Sequence, residues 1–382
     1  MQKPKKILMV AMPSLHFFRW TEQLKDSSFE VYWFDITGSG QFVQRLDWVH
    51  QKVDWRLKWD FPGRHIVKKK FPKVYQNIQK INERDVSKAF EEYIQEVKPD
   101  MVHSFALYVT CTPILEVMER HNSTPWIYSS WGSDLYYFQN IPEYLKDIKR
   151  VLPRLNYLFA DCNRDVEIAQ KHGFKGKLLA VVPGGGGFHL NDLKGYIWSV
   201  EDRNLILIKG FQGRSGRAVQ VLKAIEKLPD KLKSSEIIVF GASEEVIQYA
   251  EKSTLKSWNN LKCFDKIPHG EVLKLMGKAL IYVGNSNSDG MPNTLLEAIC
   301  LGAFPIQSNP GGATEDVIVH GENGLLIQNC ENIKEIKNQI EYTLDNPNLI
   351  IRGNKQNKKL SKQFDYDLLK QQVLSKYLSL VD

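Results

Sequence analysis

The sequence predicts an α/β protein built from two Rossmann-like domains, each a doubly wound parallel sheet. Two observations lead to this fold class. Apolar runs of strand length, such as residues 6–11 and 205–210, alternate with patterns of helical length, as in consecutive βα units. The chain also has 382 residues and 43% hydrophobic content, enough for two domains that each bury a core.

The N-terminal half contains six apolar runs with the length of buried parallel strands. They lie at residues 6–11, 29–34, 100–104, 126–130, 157–160 and 178–182, with helical patterns at 17–24, 77–97, 113–121 and 164–172. The first strand-to-helix loop, residues 12–16, lacks the G-x-G-x-x-G pattern of a dinucleotide site. Four glycines at residues 184–187 leave the backbone little restrained. We therefore expect a first domain over residues 1–190.

A second series of strands follows a boundary expected near residues 188–200. Strands are predicted at residues 205–210, 237–240, 261–264, 279–283 and 304–306, and helices at 218–227, 295–301, 332–344 and 365–380. The second domain is expected over residues 200–362.

The stretch at residues 284–298, G-N-S-N-S-D-G-M-P-N-T-L-L-E-A, is a strand-to-helix crossing rich in turn residues. In doubly wound sheets such a crossing lies at the ligand-binding edge, and the N–H groups of the next helix, here residues 294–296, attract anions. The carboxylates of Asp289 and Glu297 flank these groups. A sugar nucleotide, which carries phosphates and hydroxyls, suits this pattern. A capping box from Thr294 to Glu297 fits the local pattern equally well.

The same region resembles the nucleotide-sugar motif of glycosyltransferase family 4, a retaining group with the GT-B fold. The resemblance rests on D-G-M-P-N-T-L-L-E-A-I-C-L-G-A-F-P-I-Q-S-N-P-G-G and on the later G-E-N-G-L-L-I. The family's Glu-x7-Glu pattern falls on Asp289 and Glu297, with Asp in place of the first Glu. The resemblance implies two Rossmann-like domains facing a central cleft, with the C-terminal helix, about residues 365–382, packing back on the first domain. It also implies sugar transfer from a nucleotide-diphosphate donor with retention at the anomeric carbon.

The resemblance also implies roles for residues of the second domain. Glu297 would hold the ribose hydroxyls, Asp289 the hydroxyls of the transferred sugar, and Ile267 the base. The other residues expected around the donor are Gly210, Gly290, Met291, Asn293, Thr294 and Leu295.

Family members offer an Arg and a Lys to the diphosphate after the strand at residues 205–210. Here Lys209, Arg214 and Arg217 compete for these roles, and we favour the two arginines because guanidinium groups grip phosphates in bidentate fashion. These cations and the helix N-terminus would stabilise the leaving diphosphate. No metal and no cofactor are therefore expected, and the D-x-D at residues 365–367 is expected to be incidental.

The first domain is expected to hold the acceptor. H-x-x-R-W at residues 16–20 recurs in the family, which implies that His16 faces the cleft, although a surface His at a helix start fits as well. S-S-W-G-S-D at residues 129–134 resembles the family's H-G-x-D, with Trp131 in place of the His and with Gly132 and Asp134 completing the segment. An indole cannot act as a base, so either His103 or His16 takes the role of the family His or that role is dispensable here. Trp131 would then be free to stack on the face of a sugar. Asp134 would orient an acceptor hydroxyl or cap a helix.

The N-terminal region is also strongly basic. Residues 1–80 hold 15 Lys or Arg against 7 Asp or Glu. Trp48, Trp55 and Trp59 are spaced by seven and four, which predicts one face of a helix within residues 45–70. A Trp face bordered by cations is typical of an interfacial helix on an anionic membrane, whereas packing of the three indoles on the core is the open alternative. No nucleic-acid-binding motif accompanies the charge.

The other features of the sequence predict a cytoplasmic location. No apolar run approaches the ~20 residues of a membrane helix, and no signal peptide is recognisable. The five cysteines are scattered without a C-x-x-C pair, which indicates reduced thiols. We expect a cytoplasmic protein that contacts the inner face of the cell membrane.

The predicted function is a retaining, hexosyltransferase-type enzyme that uses a UDP or GDP sugar. Its acceptor would be a glycan or a lipid-linked glycan in cell-envelope polysaccharide or lipopolysaccharide synthesis. Three alternatives stay open: a nucleotide-sugar epimerase of the same fold, a starch- or sucrose-type transferase with a soluble acceptor, and a non-catalytic nucleotide-sugar-binding subunit.

Overall fold

A computed structural model describes residues 3–380 and divides the chain into two compact units. The first comprises the chain up to Ala160, Val166–Gly186 and the residues from Lys370 onward, and the second comprises Asp161–Asp165 and Gly187–Leu369. Each unit contains one parallel sheet with helices between its strands. The prediction of two Rossmann-like domains is confirmed.

The sheet of the first unit has seven strands, and all of them are parallel. The strands are β1 (Lys5–Ala11), β2 (Phe29–Asp35), β3 (His50–Lys52), β4 (Met101–Phe105), β5 (Trp126–Ser130), β6 (Tyr157–Ala160) and β7 (Lys177–Val181). Their order is β3-β2-β1-β4-β5-β6-β7. The winding direction reverses between β1 and β4, so the carboxyl ends of these two strands define the switch point of this sheet.

The helices of this part of the chain mostly follow the expected apolar periodicity. They are α1 (Leu15–Glu22), α2 (Arg64–Lys70), α3 (Pro72–Asn82), α4 (Val86–Val97), α5 (Leu115–Arg120), α6 (Pro142–Val151) and α7 (Asn163–Lys171). The single helix predicted at residues 77–97 is wrong. Asp85 lies in extended conformation, and its carboxylate accepts the N–H of Lys88 at 2.9 Å. This cap begins α4 afresh after α3 has ended.

The Trp-bearing interfacial helix predicted within residues 45–70 is also wrong. The segment begins in a short 3-10 turn at Gln44–Leu46, continues through the short strand β3 and an irregular loop, and becomes α-helical only at α2. Trp55 is buried: its ring stacks on Phe34 with centroids 4.9 Å apart, and its indole N–H donates to the carbonyl of Asp35 at 2.8 Å. Trp59 is exposed, so the tryptophans do not share a face.

The sheet of the second unit has six parallel strands in the order β10-β9-β8-β11-β12-β13. They are β8 (Leu205–Lys209), β9 (Glu236–Phe240), β10 (Leu261–Cys263), β11 (Ala279–Gly284), β12 (Phe304–Ser308) and β13 (Leu325–Ile327). The remaining helices are α8 (Leu190–Leu193), α9 (Ala218–Ile225), α10 (Pro229–Leu232), α11 (Glu244–Lys252), α12 (His269–Lys278), α13 (Asn293–Leu301), α14 (Ile333–Asp345), α15 (Pro347–Leu360) and α16 (Tyr366–Leu378). The switch point lies between β8 and β11, so Lys209 and the loop after Gly284 meet there.

Two apolar clusters stabilise the second unit. Alternate residues of β8 divide between them: Ile206 and Ile208 pack in one cluster, and Leu205 and Leu207 in the other. The sheet is thus buried on both faces, as expected for parallel strands. Within residues 3–380, no helix has both the length and the apolar character to cross a bilayer.

Candidate functional site

The candidate donor site is built around the N-terminus of α13, at the switch point of the second sheet. Pro292 is the N-cap and has no side chain that can accept a hydrogen bond. The N–H groups of Leu295 and Leu296 donate to the Pro292 carbonyl at 3.0 and 3.2 Å. These two amides are used by the helix itself, so the first-turn amides ahead of them, Thr294 among them, are the ones that an anion would meet.

The capping box considered for Thr294 and Glu297 does not form. The Thr294 hydroxyl accepts a hydrogen bond from the hydroxyl of Tyr282 at 3.0 Å. Glu297 is almost fully buried, and its Oε1 lies 2.7 Å from Nε2 of His269. The Glu297 carboxylate therefore belongs to the site edge and not to a cap.

His269 is a site residue that sequence reasoning missed. It is the first residue of α12 and is half-exposed, directly after the loop that contains Ile267. Ile267 is partly buried against the apolar cluster under α13. The His269–Glu297 contact thus joins the loop expected to meet the base with the carboxylate expected to meet the ribose.

Asp289 precedes the N-cap of α13 by three residues and contacts Lys209 at the end of β8. Nζ of Lys209 is 4.0 Å from Oδ2 of Asp289, and both side chains are about a third exposed, at 32% and 30%. Oδ1 of Asp289 accepts the N–H of Gly290 at 3.0 Å. An accessible carboxylate and an accessible ammonium therefore face each other at the ends of β11 and β8.

A buried arginine, Arg164, supports this loop and was not expected from the sequence. Its Nη1 donates to the carbonyls of Asp289 at 2.7 Å and Pro310 at 2.6 Å, while Nε and Nη2 bind Asp165 at 2.9 and 2.7 Å. Beside it, a Cβ on Gly290 would lie 2.3 Å from the carboxylate of Asp161. A side chain at position 290 would therefore have to displace the Asp161 carboxylate. The neighbouring Met291 is buried in the core, and Asn293 is the first residue of α13.

The three candidate cations of this unit differ in what they contact. The Arg217 guanidinium donates from Nη1 to the carbonyls of Gly213 and Gly216 at 2.9 and 2.7 Å, and its Nε forms an ion pair with Glu331. These bonds brace the loop before α9 and occupy the group that we favoured for the diphosphate. Arg214 is exposed on the same loop, and Lys209 lies beside Asp289.

Gly210 follows Lys209 and permits a close approach of the chain. A Cβ there would lie 2.7 Å from the Cα of Ala242 in the loop after β9. The backbone after β8 is thus fixed by packing.

Among residues 3–380, one group of three possible metal ligands stands together: Asp161, Cys162 and Asp165. Asp165 is bound by Arg164, and burial raises the pKa of the Cys162 thiol. This donor set does not fit a metal, because a cation would compete with a buried guanidinium.

In the D-x-D segment, Asp365 accepts the N–H groups of Asp367 and Leu368 at 3.1 and 3.3 Å, so it caps α16.

The acceptor-side candidates of the first unit lie near the switch point of its own sheet, with one exception. His16 is exposed in the first turn of α1, and its ring centroid is 6.1 Å from that of Trp131. The Trp131 indole packs on Phe105 with centroids 4.8 Å apart. A Cβ on Gly184 would lie 2.7 Å from the indole, so the first of the four glycines makes room for Trp131.

Gly132 and Asp134 belong to the turn after β5. Gly132 has a φ of 61°, a backbone conformation that favours glycine. Asp134 is buried, and its Oδ2 accepts the N–H of Leu107 at 2.7 Å and the hydroxyl of Tyr128. Burial, together with the Asp134 charge, raises the pKa of Tyr128.

His103 does not lie on the acceptor side, and this prediction is corrected. Its side chain is fully buried, with Nδ1 2.6 Å from the Tyr377 hydroxyl and Nε2 2.8 Å from the Ser129 hydroxyl. Burial lowers its pKa well below 6.5. Both ring nitrogens are occupied, so His103 cannot serve as a base for a ligand.

Comparisons with known proteins agree with this architecture. Residues 198–364 match the family model described as Glycosyl transferases group 1. No curated protein sequence is significantly similar to the chain.

Solved structures resemble the whole chain at low identity. Sucrose-phosphate synthase from Thermosynechococcus elongatus has a TM-score of 0.72 and 13% identity, covering 99% of both chains. Anabaena HepE in complex with UDP and glucose has a TM-score of 0.69 and 16% identity over 98% of this chain and 99% of that one. A glycosyltransferase from Rickettsia africae has a TM-score of 0.67 and 14% identity over the full length of both. The chain thus has the GT-B fold, and its residues 198–364 are similar to the glycosyl transferases of group 1.

Proposed function

We propose that this protein is a retaining glycosyltransferase of family 4 that uses a UDP or GDP sugar. The observation that carries the proposal is the α13 N-terminus, with the Glu297–His269 contact in its first turns and the Asp289–Lys209 contact in the loop just before it. This arrangement offers separate groups to the nucleoside, the diphosphate and the sugar of one donor.

The nucleoside end would bind at Glu297. A buried carboxylate is a strong acceptor for ribose hydroxyls, because a charge-assisted bond gains strength where water is excluded. His269 orients this carboxylate from the first residue of α12, and the backbone around Ile267 would meet the base.

The diphosphate would lie over the first turn of α13. The helix dipole and the first-turn amides favour negative charge there, and Lys209 and Arg214 would supply cations. Arg217 would act indirectly by bracing the loop that carries Arg214. These groups stabilise the charge that grows on the leaving diphosphate, which is the main electrostatic demand of the reaction. No metal or cofactor is required by this scheme.

The transferred sugar would lie against Asp289, whose carboxylate accepts its hydroxyl groups. His103 is buried with both ring nitrogens in hydrogen bonds, so it does not supply a base for the acceptor. We therefore assign proton removal from the acceptor hydroxyl to an oxygen of the donor phosphate, which is consistent with retention.

The acceptor would bind to the first unit near His16 and Trp131, with Asp134 holding the turn that carries the indole. We propose a glycan or lipid-linked acceptor of the cell envelope, used at the cytoplasmic face of a membrane. The proposal of a lipid-linked acceptor does not depend on a Trp-bearing helix, because the tryptophans of residues 45–70 lie outside α-helices.

The proposal is tested by thermal unfolding of the full chain with a panel of nucleoside diphosphates and nucleotide sugars. We expect one diphosphate to raise Tm for the wild type and to do so far less for Glu297→Gln, which keeps the shape of the side chain. Glu322→Gln, an exposed residue of the same unit, is the matched control. If no nucleotide raises Tm, or if Glu297→Gln responds like the wild type, the donor site is wrongly assigned.

The donor identified in this way then separates the functional alternatives. A transferase releases nucleotide and moves labelled sugar into an envelope-lipid or glycan extract, and NMR of the product gives its anomeric configuration. An epimerase would convert the donor without an acceptor, and a binding subunit would hold the donor unchanged.

A further inference from the structure

One segment of the first unit carries side chains that neither the sheet nor the candidate site uses. We name residues 58–82 the α2–α3 arm, because they leave and rejoin the body at adjacent points. Nζ of Lys58 donates to the carbonyl of Ile81 at 2.6 Å, and the amide of Asn82 bonds with both backbone groups of Trp59 at 2.8 and 3.0 Å. The arm is therefore anchored at its two ends.

The arm has an unusual distribution of apolar side chains. Helix α2 buries none of its residues, and α3 buries only the polar Gln79 and Asn82. Five large apolar side chains of the arm are 45–68% exposed: Trp59, Ile66, Phe71, Val74 and Ile81. Val74, Ile78 and Ile81 follow the i, i+4, i+7 spacing of one helical face. An exposed apolar face on a helix is typical of an interaction surface.

The same arm holds most of the net charge of the protein. It contains seven Lys or Arg and one Asp, a net charge of +6, whereas the whole chain carries +7. The single acid, Asp60, is paired with Arg64 at 3.4 Å. The consecutive Lys68, Lys69 and Lys70 are exposed, so the arm presents uncompensated positive charge.

We infer that the α2–α3 arm docks on the surface of an anionic phospholipid bilayer. Apolar side chains and cations alternate over the same two short helices, as in interfacial helices whose apolar groups enter the acyl boundary while lysines stay among the phosphates. The flexible lysine stem lets the ammonium remain at the headgroup level while Ile66 and Phe71 insert. This assignment rests on the proposed function for its choice of a lipid surface, which places the acceptor side of the enzyme on the membrane.

The test is cosedimentation of the full chain with vesicles, without donor or acceptor. We expect binding to vesicles that contain phosphatidylglycerol, little binding to phosphatidylcholine alone, and weaker binding at high salt. Lys68→Gln/Lys69→Gln/Lys70→Gln should bind about a hundredfold more weakly, since each cation near an anionic surface contributes substantially. Ile66→Ser/Phe71→Ser should lose about tenfold or more.

The matched control is Lys355→Gln/Lys358→Gln/Lys359→Gln, which removes the same charge from exposed positions of α15 in the other unit. It should bind vesicles almost like the wild type. Equal losses in the two triple variants, equal binding to neutral and anionic vesicles, or self-association through the arm in place of vesicle binding would each overturn the inference. Donor binding is measured in a separate experiment, so failure of the vesicle experiment leaves the donor site standing and can be told apart from failure of the proposed function.

Discussion

The hydroxyl of Tyr377 gives the sharpest stability prediction. In the first unit the indole N–H of Trp20 donates to this hydroxyl at 2.9 Å, and the hydroxyl lies 2.6 Å from Nδ1 of His103, with all three side chains buried. Because the indole can only donate, the tyrosine proton is available to His103. Tyr377→Phe leaves two buried polar groups without partners, and each such group costs about 1–3 kcal/mol. We expect a loss of about 3 kcal/mol in the free energy of unfolding.

Urea unfolding followed by tryptophan fluorescence measures this loss, because seven of the nine tryptophans lie at residues 20–131 and report on the first unit. The same loss lowers Tm by roughly 6–12 °C for a unit of this size. Tyr342→Phe removes a hydroxyl from an exposed tyrosine on α14 and should change stability by less than about 0.5 kcal/mol. If Tyr377→Phe is no more destabilised than this control, the reasoning from orphaned buried groups is wrong.

Three further predictions address pH, packing and donor binding. Burial lowers the pKa of His103 well below 6.5, so its neutral form contributes stability that is present above about pH 6.5 and is lost at lower pH. Below that pH, the free energy of unfolding of the first unit, measured with urea, should fall by up to about 1.4 kcal/mol per pH unit. A free energy that does not change with pH would contradict this. Gly184→Ala would set a Cβ 2.7 Å from the Trp131 indole, so the tryptophan emission should shift and the rate of sugar transfer should fall. The control Gly195→Ala, whose Cβ meets nothing within 4 Å, should change neither quantity. Lys209→Ala should weaken binding of the nucleoside diphosphate about tenfold by calorimetry while leaving nucleoside binding unchanged; equal losses for both ligands would exclude a diphosphate role.

The fold class was predictable because most strands of the two sheets contain a run of apolar residues, whereas the short edge strand β3, His50–Lys52, is polar and was not predicted. The same reasoning failed for residues 45–70, where Trp spacing alone suggested a helix. Pro62 and Gly63, the latter with a φ of 77°, separate the tryptophans from α2, and the core takes up Trp55 against Phe34. Spacing describes a face only when the backbone is already known to be helical, and tertiary packing decided otherwise here.

The candidate site was predictable in part for a similar reason. Asp289 and Glu297 lie in one motif at the end of a strand, so topology alone places them at the ligand edge. His269 and Arg164 have partners that are 28 and more than 100 residues away, and no local pattern records such contacts. For Arg217, the family resemblance and the chemistry of the guanidinium indicated a phosphate ligand, whereas its bonds to two loop carbonyls and Glu331 depend on a loop shape that a sequence does not reveal.

The position of Tyr377 in the chain has a consequence for synthesis on the ribosome. Trp20, His103 and Ser129 emerge from the ribosome well before Tyr377, which completes their hydrogen-bond network 357 positions after Trp20. Domains generally begin to fold from the N-terminus during translation, so the nascent first unit waits with a polar gap in its core until the entire second unit has been made. A fragment that ends near residue 190 keeps that gap permanently, and we expect it to aggregate when expressed alone.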